Sequence, residues 1–75
     1  MKELDVVVLK ALLMEADKHL SRATVQTLLD MRTDQYGEWF KWHGIHLAHI
    51  GRPNDPELKW AAQWMSAVCR LEDMG

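Results

Sequence analysis

The segment Gly51-Arg52-Pro53-Asn54-Asp55-Pro56-Glu57 constrains this chain more than any other stretch. Glycine ends a helix readily, because it enters the left-handed conformation without a Cβ clash. Asp55-Pro56-Glu57 then reads as a helix start. Asp55 offers a side-chain acceptor at the N-cap, Pro56 has its φ preset for the first helical position, and Glu57 puts an acid against the positive end of the helix dipole. The spacing predicts one helix that stops at Ile50 and another that runs from Pro56 to about Asp73. Weaker punctuation divides the rest. A first helix is predicted from about Leu4 to Leu20. Ser21 is placed to cap a short second helix from Arg22 to Leu29 or Met31, and Thr33 or Asp34 to cap the third.

Placing side chains at about 100° per residue shows which faces are apolar. Val6, Leu9, Leu12, Leu13, Ala16 and Leu20 share one side of the first helix. Tyr36, Trp39, Phe40, His43, Leu47 and Ile50 form a stripe on the third, and Trp60, Trp64, Ala67, Val68 and Leu71 form one on the fourth. With Val25, Leu28 and Leu29 these suffice for one all-α core. The expected fold is therefore a compact all-α single domain of three to four helices over residues 1–75, a small orthogonal or helix-turn-helix-like bundle.

Size sets how much such a core can hold. At 75 residues the chain buries only about 60–65% of its unfolded surface. The one cysteine has no intrachain partner to staple it. The 48% apolar content, with four tryptophans, excludes a disordered chain, and the length excludes a multi-domain enzyme. A net charge of −2, with nine Lys and Arg scattered singly, gives no footprint for nucleic acid or an anionic membrane. Apolar runs such as Val6 to Leu9 are too short to span a bilayer. The opening Met1-Lys2-Glu3-Leu4-Asp5 carries acid where a secretory signal needs base. With the lone Cys69, this leads us to expect a cytoplasmic protein without a membrane role.

The apolar residues left over after the core is filled are more informative. Leu58, Ala62, Met65 and Cys69 recur at four, three and four residues on a second side of the fourth helix. Val7, Ala11 and Met14 do the same on the first. Either the bundle wraps these helices on both sides, or a second chain covers them. Gly37, Gly44 and Ala48 lie away from the aromatic stripe of the third helix. Glycine inside a helix costs about 1 kcal/mol against alanine, so the two glycines predict either close approach of another backbone or a kink at His43-Gly44.

Signals for chemistry are thin. His43, His46 and His49 suggest a metal, but His43 and His49 point about 120° apart around a helix. The Glu of a HExxH motif is absent, and no CxxC accompanies the histidines, so no metal or other cofactor is expected. His43 reads as a core histidine with a hydrogen-bonded ring. Cys69 sits mid-helix without a base at helical spacing and reads as a small core or interface residue. No phosphate loop or nucleophile elbow is present, so neither an enzyme nor a small-molecule substrate is expected.

Leu20-Ser21-Arg22-Ala23-Thr24-Val25-Gln26-Thr27-Leu28-Leu29 resembles the turn and recognition helix of helix-turn-helix regulators of the lactose-repressor and excisionase type. The resemblance implies that Ser21, Arg22, Thr24 and Gln26 face DNA while Val25 and Leu28 pack inward. It covers about ten residues. Glu15 stands where those families place a small residue, and His19 stands where their turn prefers glycine. In a second register Leu29-Asp30-Met31 is the turn, and Thr33, Tyr36 and Trp39 lie on the recognition helix. Gln26 then takes the small-residue place, and Asp34 and Glu38 approach the phosphates.

The function expected from the sequence is a small non-enzymatic regulator or inhibitor that binds another protein through apolar and aromatic helix faces, a homodimer through Leu58, Ala62 and Met65 being its simplest version. The interface residues expected are Met14, Trp42, Leu58, Ala62, Met65 and Cys69, because they lie off or at the edge of the main stripes and because Trp and Met are enriched at interfaces. The alternative is a DNA-binding regulator acting through Ser21, Arg22, Thr24 and Gln26.

Overall fold

A computed structural model describes the backbone of residues 2–74 and side-chain surroundings from Val6 onward. Met1, the first residue of the acidic opening, lies outside the described residues. The chain forms α1 (Lys2–His19), α2 (Arg22–Asp30), a 3-10 turn (Thr33–Gln35), α3 (Tyr36–His49) and α4 (Pro56–Met74). Among the described residues there is no strand, so the fold is all-α with four helices.

Local chemistry sets the boundaries. Ser21 holds an extended backbone, and its Oγ accepts the Thr24 N–H at 3.1 Å, satisfying one of the free donors that open α2. Ile50 caps α3, and Gly51 follows at φ +82°. The Gly51 N–H donates to the Ala48 carbonyl at 3.1 Å and the Arg52 N–H to the Leu47 carbonyl at 2.7 Å, which is a Schellman ending. Asp55 opens α4, its Oδ1 accepting the Glu57 N–H at 2.9 Å. Neither Thr33 nor Asp34 caps α3 directly. They lie inside the 3-10 turn that precedes it, where Gln35 Oε1 reaches back to the Arg32 N–H at 3.3 Å.

α1 and α4 form the main pairing. They run antiparallel: His19 stacks on Trp60 at one end with ring centroids 4.4 Å apart, and Leu9 and Leu12 meet Arg70 towards the other. Three nearly inaccessible alanines, Ala16, Ala61 and Ala67, let the two backbones come close. α3 also runs antiparallel to α4, with Gly44 beside Leu58 at one end and Tyr36 beside Val68 at the other. Ala16, Leu20, Leu28, Tyr36, Ala61 and Trp64 form the centre of the core, so all four helices contribute to it. The molecule measures 42 × 23 × 18 Å, elongated along the paired helices.

Four local expectations are corrected, the first being Leu29, which was counted with the core residues of α2 but is exposed. α3 is continuous through His43-Gly44, so the helix does not break there. No other backbone approaches either glycine: a Cβ on Gly44 would meet only the Leu58 methyls, at 4.0 Å, and one on Gly37 would meet nothing. Ile50, placed in the core stripe of α3, is exposed, because the Schellman turn begins there and swings it out.

Candidate functional site

The outer face of α1 carries large apolar side chains in water. Val7 is 63% exposed, Met14 68% and Val8 51%, and Ala11 lies exposed between them. The inward face of the same helix already fills its share of the core with Leu9, Ala16 and Leu20. Consecutive valines are poor helix formers, so intrinsic propensity gives no reason for them at exposed positions. Lys10 and Asp17 are exposed and flank the stripe on one side, and Glu15 flanks it on the other. Glu15 is engaged within its own helix by His19 and by Lys18, each at 3.4 Å. The His19 hydrogen bond first, then Lys18, holds its carboxyl below the ordinary value.

The second face of α4 is placed differently. Leu58, Ala62, Met65 and Cys69 are all half-buried. Met65 and Cys69 pack against the core, Leu58 lies beside Gly44, and Ala62 lines a shallow groove with Leu9 and Leu12. Of the two alternatives for this face, a bundle that wraps the helix on both sides is the one found. α4 is the helix that both α1 and α3 pack along, so its apolar surface is needed on two sides.

Trp42 projects from the outer face of α3, 57% exposed. Its Nε1 donates to Glu38 Oε1 at 2.9 Å, and the Lys41 ammonium lies 5.6 Å from the ring centroid. Ile45 is exposed next to it, one turn on. Val8 and Ile45 were absent from the residues expected at an interface. The helical spacing of Ile45 to Trp42 was available as a signal, whereas Val8 lies at the edge of both faces of α1.

A polar junction joins α2, α3 and α4. The Ser21 hydroxyl donates to Thr24 Oγ1 at 2.9 Å, and the Thr24 hydroxyl donates in turn to Glu57 Oε1. His43 Nε2 stands 3.7 Å from the same oxygen, and the His43 ring stacks on Trp39 with centroids 4.5 Å apart. This chain of donors ends on a carboxylate, the arrangement that strengthens each bond in it. His43 is half-buried at the core margin rather than within the core, and its Nε2 is buried without a hydrogen bond, which corrects the expectation of a hydrogen-bonded core ring. The junction holds the start of α2 to the start of α4. Sequence reading had no means to find it, because Thr24 and Glu57 are 33 residues apart.

The junction also bears on the residues suggested by the helix-turn-helix resemblance. Ser21, Arg22 and Gln26 are exposed, and Val25 and Leu28 turn inward as the resemblance implies. Thr24 is buried against Glu57 and does not face solvent, which corrects its placement at DNA. Gln26 is engaged by Asp30 at 2.9 Å. The second register fares worse. Tyr36 is buried with its hydroxyl donating to the Leu28 carbonyl at 3.2 Å, and Trp39 is half-buried on His43. Burial pushes the Tyr36 phenol above its ordinary value.

His46 and His49 are exposed on α3 while His43 turns inward, so the three do not converge. Among the described residues, no group of three or more His, Cys, Asp or Glu is placed to hold a metal ion. No helix among them is long and apolar enough to cross a membrane. No protein-family model, characterised protein or solved structure matches the chain.

Proposed function

We propose that this chain is a small non-enzymatic regulator or inhibitor that works by binding protein through the outer face of α1. The observation that carries the reading is the exposure of Val7, Val8 and Met14 on a helix whose opposite face is already committed to the core. Leaving a valine or leucine-sized side chain in water rather than burying it forgoes about 1.5–3 kcal/mol. A chain this small has little stability to forgo. A contact surface explains the placement. Trp42 and Ile45 on α3 supply a second apolar and aromatic patch of the composition common at interfaces. DNA binding through α2 is the alternative, and its support now rests on Ser21, Arg22 and Gln26.

A tagged pull-down from source lysate, with and without nuclease, tests the reading. The wild-type chain should retain a protein partner after nuclease treatment, and a Val7→Asp/Met14→Asp bait should lose it while keeping its helical circular dichroism. If both baits retain the same proteins, the α1 face is not the docking surface. If all captured protein disappears with nuclease, the nucleic-acid reading replaces this one.

A further inference from the structure

The stripe on α1 has the geometry of a two-helix seam. Val7, Ala11, Met14 and Lys18 recur at four, three and four residues, the spacing at which one helix meets another along a coiled-coil contact, and all four are exposed. Ala11 at the middle leaves room for a second backbone at about 8–10 Å. Lys10 and Asp17 lie on the same flank of this seam, opposite in sign and one heptad apart. Among the described residues neither forms an ion pair within the chain, unlike Glu15 on the other flank.

These features suit one occupant in particular. We propose that the outer face of α1 pairs antiparallel with the same face of a second copy of this chain, with Lys10 of each copy set against Asp17 of the other. A two-fold axis crossing the seam places Ala11 opposite Met14 and Val7 opposite the aliphatic stem of Lys18. Lys10 then lies within about two residues of the level of Asp17, roughly 3 Å of helical rise, inside the reach of a lysine side chain. An isologous contact makes this pairing twice. Parallel pairing sets Lys10 against Glu15 instead, whose carboxylate Lys18 and His19 already hold. The monomer fold is untouched, because α1 keeps its inner face on α4. The proposal rests on α1 being the docking face and names what docks there.

A seam of about three turns belongs to the weak class of interfaces, below about 1,200 Å² in total, with micromolar association expected. Sedimentation velocity on the full chain across that concentration range should show a monomer–dimer equilibrium. K10E or D17K alone should weaken association about tenfold, since each reverses both charge contacts. An equimolar mixture of the two variants should restore it as a heterodimer, because every reversed charge then meets its opposite. Circular dichroism of each variant should match the wild type, both residues being exposed. A wild-type chain that stays monomeric to millimolar concentration overturns the proposal. So does a dimer unaffected by the single reversals, or a mixture that associates no better than its components. None of these results touches the pull-down comparison, in which Val7→Asp/Met14→Asp is judged by loss of a foreign partner.

Discussion

Tyr36 shows how much a single side chain decides here. It closes the core beside Leu28 and Trp64, and its hydroxyl satisfies the Leu28 carbonyl. Burial raises its pKa above the ordinary 10.0. The folded state therefore holds the phenolic proton more tightly than the unfolded chain does. The stability this supplies is present in full below pH 10.0 and is lost as pH rises through the raised folded value. Tyr36 is the only tyrosine in the chain, so an ultraviolet titration reads it alone. Its midpoint should lie above 10.0 in the native protein and fall to the ordinary value in denaturant; a native midpoint at or below 10.0 contradicts the buried placement. The sequence placed Tyr36 in the core stripe by its spacing. It set Thr24 outward, towards DNA, whereas the inward turn of Thr24 depends on a carboxylate contributed by another helix. Periodicity reports which face a residue shares, and says nothing about a polar partner far along the chain.

At the scale of the helix, the terminators were legible and the interior of α3 was not. Ser21, Gly51 and Asp55 act on backbone groups within a few residues of themselves, so their roles are written locally. The 3-10 turn at Thr33–Gln35 has no such signature, and the start of α3 was accordingly placed early. Gly44 sits inside a continuous helix with only ordinary contact distance to Leu58. Gly44→Ala should therefore stabilise the chain by about 1 kcal/mol, raising Tm by roughly 4–8 °C for a domain of this size. A thermal melt checks it, and a lower Tm would mean that Leu58 cannot accept even a methyl group. The second face of α4 was left open between two alternatives for a related reason. A stripe in excess of one neighbour looks exposed until it is known that two helices lie along the same one.

For the molecule as a whole, one small core carries everything. Native stability of about 0.05–0.15 kcal/mol per residue gives this chain roughly 4–11 kcal/mol. Leu28, with no accessible surface, is its largest fully buried side chain. Leu28→Ala should cost about 2–5 kcal/mol and also loosen the seat of Tyr36. Urea unfolding followed by tryptophan fluorescence should show a midpoint lowered by about a fifth or more, and a shift within error of zero would place the core elsewhere. The all-α architecture was readable from the sequence because three amphipathic stripes and their caps agree with one another. Which stripe meets which was not, since the pairing of α1 with α4 joins segments separated by both other helices. That pairing has a consequence for biosynthesis. α1 is complete at His19 and α4 at Met74, 55 residues later (74 − 19). At roughly 5–20 residues per second the ribosome takes about 3–11 s over that interval. Throughout it the inner face of the nascent α1 lacks the α4 surface that covers it in the fold, and stays open to any chaperone that meets the chain during translation.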